Sequence, residues 1–292
     1  MYLCSVVLPF LVSKVMEFRT QVTIKKPPFC IEPCEEMLFV GSCFADAIGQ
    51  RFRQEAFPVT VNPFGVMYNP ASILHTVQRL YATTFSVPPR VVFLTLGTNH
   101  VYRLKETGEI VDNCEKRPAA LFQEEELTVD QCADYLSQAV SVLQRLRPDV
   151  HIVFTVSPIR YRKYGYHESQ LSKATLLLAM QEIVSHSSLF TLHSSLSYFP
   201  AYEIVMDELR DYRFYAADML HPSDQAVEYI WERLVDTYFS QAAKDFLAEW
   251  HPLKQALAHK PFHADSPEYR TFHEQTMTKV AELQKKYPHL TL

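Results

Sequence analysis

Two short strings in this 292-residue chain hold the residue types of an acyl-transfer centre. One is Gly41-Ser42-Cys43-Phe44-Ala45, directly after the apolar run Met37-Leu38-Phe39-Val40; the other is Asp218-Met219-Leu220-His221-Pro222. A serine hydroxyl is a weak nucleophile until a neutral imidazole takes its proton, and the imidazole needs an acceptor on its other nitrogen to fix tautomer and orientation. An Asp-x-x-His turn supplies base and acceptor from one loop. Pro222 suits the first turn of a helix, and Ala226, Val227, Ile230, Trp231, Leu234 and Val235 continue at helical spacing, so His221 is expected on a fixed support. Ser42 is therefore the candidate nucleophile, His221 the general base and acid, and Asp218 its orienting carboxylate. Either string alone is common by chance, and His221 by itself reads equally well as a capping or core histidine. Their order and joint placement favour the catalytic reading.

Such a site needs rigid mounts. Three β-branched or aromatic runs, 37–40, 91–96 and 151–156, read as strands, with a further polar-apolar strand at 18–24. Helical periodicity covers 44–54, 128–146, 170–186 and 224–239. Strand alternating with helix predicts a parallel sheet covered on both faces. In such sheets ligands bind beyond the carboxyl ends of the strands, where Gly41-Ser42, Gly97-Thr98-Asn99-His100 and Ser157-Pro158-Ile159-Arg160 lie. The chain has only six glycines, against a usual share of about 7%. Three of them, Gly41, Gly65 and Gly97, fall in these proposed site loops, where an open backbone N–H and close substrate approach suit an oxyanion hole.

Composition narrows the classes. A formal net charge of -5 offers no basic field for a phosphate backbone, so nucleic acid is not an expected partner. The apolar stretch 3–12 is too short for a bilayer span of about 20 residues and lacks a basic flank or a cleavage site. No stable membrane insertion is expected, and residues 1–16 read as an extra segment ahead of a natural start at Met16. Six scattered cysteines in a chain of this size imply reduced thiols and a cytoplasmic location. Cys30 and Cys34 could form half a metal site, but no second pair or histidine pair follows at ligand spacing, so no structural zinc is expected. Beyond residue 240 the pattern becomes charged amphipathic helix at 242–250 and 268–287, with a His- and Pro-containing connector between. That tail reads as an appendage packing on the core or making a subunit contact, with a lid less supported.

The pentapeptide Gly41 to Ala45 resembles the naming motif of the GSCFA family, a bacterial branch related to the SGNH (GDSL-like) esterases and acetylhydrolases. The likeness extends through Val61-Asn62-Pro63-Phe64-Gly65-Val66-Met67-Tyr68-Asn69-Pro70, Gly97-Thr98, Val111-Asp112-Asn113-Cys114 with Lys116 and Pro118, and Ser157 to Arg160. It continues through Tyr198-Phe199-Pro200-Ala201-Tyr202-Glu203, the stretch Asp207 to Tyr215, and Asp218 to Pro222. The resemblance implies an α/β, flavodoxin-like sandwich of a central parallel sheet and helices over 17–239, with the helical extension at 240–292. It also implies that Ser42 adds its own N–H to the oxyanion hole. Asn99, in Gly97-x-Asn99, and Asn62 with Gly65 compete as the further donors. His100 stands where SGNH enzymes usually have Asp, and no Asp precedes Ser42.

Other residues have both a chemical and a plain reading. Cys43 adjoins Ser42, but neighbouring side chains diverge, which makes it a small buried hydrophobe. Arg160, Arg210 and Arg213 either bind a substrate carboxylate or phosphate or pair internally with Glu203, Asp207, Glu208 and Asp211. Tyr198, Phe199, Tyr202, Tyr212, Phe214 and Tyr215 either wall a pocket or pack the core. His100, His167 and His193 are weaker candidate bases. The expected activity is hydrolysis of a carboxylic ester with a small acyl group, on a carbohydrate or other small molecule, without metal or organic cofactor. An O-acyltransferase using the same acyl-enzyme and a non-catalytic binding protein are the alternatives.

Overall fold

The apolar runs form strands because their residues are buried on both sides, and the computed structural model describes residues 18–82, 88–185, 195–263 and 265–290. Strand β1 (Met37–Gly41) leads into helix α1 (Cys43–Gln54), followed by β2 (Val59–Val61) and α2 (Pro70–Ala82). Strand β3 (Val91–Leu96) precedes three short strands, β4 (His100–Leu104), β5 (Ile110–Val111) and β6 (Phe122–Glu126). Then come α3 (Val129–Leu146), β7 (His151–Val156), α4 (Tyr166–Ser185), β8 (Ser195–Tyr198) and a single turn, α5 (Ala201–Glu203). Helices α6 (Asp224–Tyr238), α7 (Gln241–Ala258) and α8 (Pro267–Lys286) complete the described chain.

The main sheet is parallel throughout, in the order β2-β1-β3-β7-β8. Counted along the chain this is 2-1-3-4-5, the flavodoxin-like order, whose switch point lies between β1 and β3. Alternate side chains feed opposite faces. Met37, Phe39, Val91 and Phe93 join α1, α6, α7 and α8 in one apolar cluster, whereas Leu38, Val40, Val92, Leu94 and Leu96 join α2, α3 and α4 in another. The expected fold class is thus the observed one. Inserted between β3 and α3 is an antiparallel sheet, β5-β4-β6, that the sequence reading did not anticipate.

Three expectations are corrected. Residues 18–24 form no strand: the Val22 N–H donates to the Glu208 carboxylate at 3.0 Å and its carbonyl accepts from Arg233 at 2.6 Å, so side chains satisfy a backbone that has no sheet partner. Helix α4 starts at Tyr166 rather than 170. Helix α7 runs through Pro252 to Ala258, because Phe246, Trp250 and Leu253 share one buried face that a break would misalign. The extra N-terminal segment lies outside the described residues.

Candidate active site

Ser42 stands where β1 hands over to α1, at the sheet's switch point. Gly41 makes that handover with φ of +146°, and a Cβ there would lie 2.0 Å from the Thr95 carbonyl oxygen, so only glycine fits. The Ser42 N–H donates to that oxygen at 3.1 Å and lies 3.1 Å from the Thr95 hydroxyl. Its Oγ accepts the Phe44 N–H at 3.3 Å, capping α1, and lies 3.4 Å from Thr95 Oγ1. Ser42 is only 1% exposed. Its hydroxyl rests at the positive end of the α1 dipole.

His221 and Asp218 are assembled as a pair. Asp218 Oδ2 is 2.5 Å from His221 Nδ1, while Oδ1 accepts the backbone N–H groups of Leu220 at 2.9 Å and His221 at 3.0 Å. Those two backbone bonds, and then the imidazole, hold the Asp218 carboxyl well below the usual carboxylate range. An ionised carboxylate only accepts, so Nδ1 carries the hydrogen and Nε2 is left as base. The turn is pinned at several points: His221 carbonyl to the Ala216 N–H at 2.8 Å, Leu220 carbonyl to the Arg160 N–H at 3.0 Å, and Met219 carbonyl to Arg160 Nη1 at 3.2 Å. The imidazole is 44% exposed. Among the described residues no hydrogen bond joins Ser42 to His221.

Each expected oxyanion group makes a structural bond, and each asparagine Nδ2 keeps a second hydrogen that no bond among the described residues uses. Besides the Ser42 N–H, the Gly65 N–H donates to the Asn62 carbonyl at 2.9 Å and the Gly97 N–H to the Tyr68 carbonyl at 2.8 Å. Asn62 braces the site instead: its Oδ1 accepts the Gly41 N–H at 2.8 Å and its Nδ2 donates to Asp46 at 2.7 Å. Asn99 is buried, with Nδ2 on the Leu127 carbonyl at 2.7 Å. Both asparagines hold backbone in place, the first under the nucleophile and the second at the root of β6. Gly97 is nonetheless close: a Cβ on it would sit 3.6 Å from Ser42 Cβ.

Cys43 turns aside, with Sγ 3.6 Å from the Tyr68 hydroxyl. His100 stacks on Tyr164 at 3.8 Å, and burial lowers its pKa. His167 lies in the first turn of α4, and His193 is outside the described residues. Of the three arginines only Arg213 meets one of the named acids, Asp211, at 2.9 Å. Glu203 instead accepts from the Tyr198 hydroxyl at 2.8 and 2.9 Å, and Glu208 lies near Arg19 and Arg233.

One residue escaped the sequence reading. Lys173, 2% exposed, donates to the carbonyls of Gly97 at 2.7 Å and Ser157 at 2.8 Å, tying the ends of β3 and β7 together beneath the site. Burial pushes its ammonium down to about 7. The signal was present: Ser169, Ser172, Lys173, Leu176, Ala179, Met180 and Ile183 repeat at the spacing of a buried helix face, and Lys173 is the charge on it.

The described chain is thus an α/β protein with a flavodoxin-like parallel sheet, Ser42 at its switch point and the Asp218–His221 pair on the loop before α6. The GSCFA family pattern matches residues 36–88 and 83–234, and that of the GSCFA domain protein, C-terminal domain, matches 250–292. The chain belongs to the GSCFA family. No curated protein matches it. Among solved structures, a member of the lipolytic protein G-D-S-L family from Veillonella parvula is 12% identical with a TM-score of 0.45, covering 70% of this chain and 98% of its own. An acetylxylan esterase from Geobacillus stearothermophilus is 14% identical with a TM-score of 0.43, covering 73% and 98%. A carbohydrate esterase family 3 protein from Talaromyces cellulolyticus is 10% identical with a TM-score of 0.38, covering 76% and 98%. Among the described residues no helix is long and apolar enough to cross a membrane.

Proposed function

We propose that this protein hydrolyses a carboxylic ester with a small acyl group through a Ser42 acyl-enzyme. The observation that carries the reading is the 2.5 Å contact between Asp218 and His221 Nδ1, which leaves Nε2 as a base on a loop pinned from several sides. Ser42 must first rotate about χ1, releasing the Phe44 N–H and Thr95. His221 Nε2 then takes the hydroxyl proton as Oγ attacks the carbonyl. The imidazolium returns that proton to the leaving alkoxide, and water, deprotonated by the same imidazole, cleaves the acyl-enzyme. The recessed serine supports a small acyl group, since only a short chain reaches a side chain so deeply buried. Five free thiols among the described residues support a reducing, cytoplasmic setting.

One observation favours a second reading, a binding protein that keeps the fold without the chemistry. Ser42 is buried, its hydroxyl caps a helix, and the expected oxyanion backbone N–H groups are all bonded. A fluorophosphonate probe separates the two. Stoichiometric labelling of the native protein that disappears in Ser42→Ala supports hydrolysis, and no labelling of the native protein supports binding alone.

A further inference from the structure

Beside the His221 turn lies an open cleft of about 310 Å³, walled by α4, α5 and the segment 205–215. Its charges are uneven. Arg160, Lys173 and Arg210 line it, and among the described residues none of the three has a carboxylate partner. The one acid on the lining, Asp211, is held by Arg213 at 2.9 Å. The remaining ionisable side chains lining the cleft are the phenols of Tyr166, Tyr202, Tyr212 and Tyr215. The Tyr202 hydroxyl is already committed to Gln170, and that of Tyr215 faces Met206 sulfur at 3.7 Å.

Arg160 is the better held of the two arginines. Its guanidinium lies between two rings, 4.2 Å from the centroid of Tyr166 and 5.4 Å from that of Tyr215. Stacking fixes the plane of the fork, and the bond from Nη1 to Met219 uses one of its donor atoms. A stacked guanidinium with unused donors and no internal acid matches the geometry of a planar or tetrahedral oxyanion. The same residue holds the carbonyls of Met219 and Leu220, so a group bound there sits against the loop that carries His221.

Building on the hydrolase reading, we propose that this cleft binds an anionic group of the substrate, a carboxylate or a phosphate, so that the ester cleaved belongs to an acidic alcohol rather than a neutral one. The tyrosines flank the bound group and offer flat faces to a sugar ring or a similar small scaffold. Lys173 lies beneath, its Nζ bonded to the Gly97 and Ser157 carbonyls.

The test is direct binding to the full-length Ser42→Ala protein, which requires no turnover. Inorganic phosphate, glucuronate and neutral glucose are titrated calorimetrically at low and high salt. Saturable binding of at least one anion, weakened by salt and absent for glucose, is expected. That binding falls tenfold or more in Arg160→Gln and in Arg210→Gln, and persists in Arg213→Gln, whose guanidinium is engaged by Asp211. Arg210 is exposed, so its variant keeps the test valid even if Arg160→Gln unfolds. Phosphate alone binding, or glucuronate alone, identifies which anion is read. Equal affinity across the arginine variants, glucose binding as tightly as the anions, or no saturable anion binding overturns the proposal. Where glucuronate is the anion bound, acetylated glucuronate is turned over in active protein with at least tenfold higher kcat/KM than acetylated glucose, and Arg210→Gln collapses that ratio. Absent fluorophosphonate labelling with anion binding intact removes the hydrolase and keeps the anion site. Labelling without anion binding removes only the anion site.

Discussion

Ser42 has two occupations that compete for one hydroxyl. It caps α1 and is also the atom proposed to attack the ester. Ser42→Ala is therefore expected to lose about 1 kcal/mol of stability with the cap, and under the proposed hydrolysis to lose turnover by about 10⁶-fold. Asp218→Ala loses less, about 10⁴-fold, because the imidazole remains as base. Urea titration reads the first effect and ester hydrolysis the other two. Lys173 gives a pH effect whose sign is fixed by its burial. The unfolded lysine binds its proton up to about 10.5 and the folded one only up to about 7, so the unfolded chain holds the extra proton in between. Stability from this group therefore rises as pH rises from 7 to 10.5. Urea midpoints at pH 7.5 and 9.5 should show that gain in the native protein, and a smaller one in Lys173→Met.

At the scale of elements, the C-terminal helices are part of the packing. Trp250 is buried between α7 and the core and donates its indole N–H to the Gln54 carbonyl at 3.2 Å. Trp250→Ala is expected to cost about 3–5 kcal/mol, read as a fall in the denaturant midpoint without change of slope. The elements that the sequence revealed are those with strong local signals: continuous apolar runs at β1, β3 and β7, and periodic faces at α1, α3 and α6. The Asp218-x-x-His221 turn was legible too, because its bonds are local in sequence. The short strands β4 to β6 were not. Their stability comes from pairing with each other, as with His100 opposite Glu126, and no single segment displays that. The resting partners of the expected oxyanion groups were not legible for the same reason. Whether the Gly97 N–H is free depends on the Tyr68 carbonyl, 29 residues earlier, arriving beside it.

For the whole molecule, burial sorts the cysteines. It pushes the Cys34 thiol up to about 11 and that of Cys132 up to about 12, leaving both protonated at pH 8. Iodoacetamide at pH 8 should modify neither until the protein unfolds, whereas the partly exposed Cys30, Cys43 and Cys114 react in the native state. Mass spectrometry of the peptides reads the difference. The main sheet divides two apolar clusters, each with its own helices. The division makes the two sides mutationally independent. Phe52→Leu on one face and Leu136→Ala on the other should add to within about 0.3–0.5 kcal/mol, while Phe52 and Trp231, 4.7 Å apart on the same face, should not. The face packed by α2, α3 and α4, with Lys173 on its rim, can then drift in sequence under one set of demands while the face beneath α7 and α8 drifts under another.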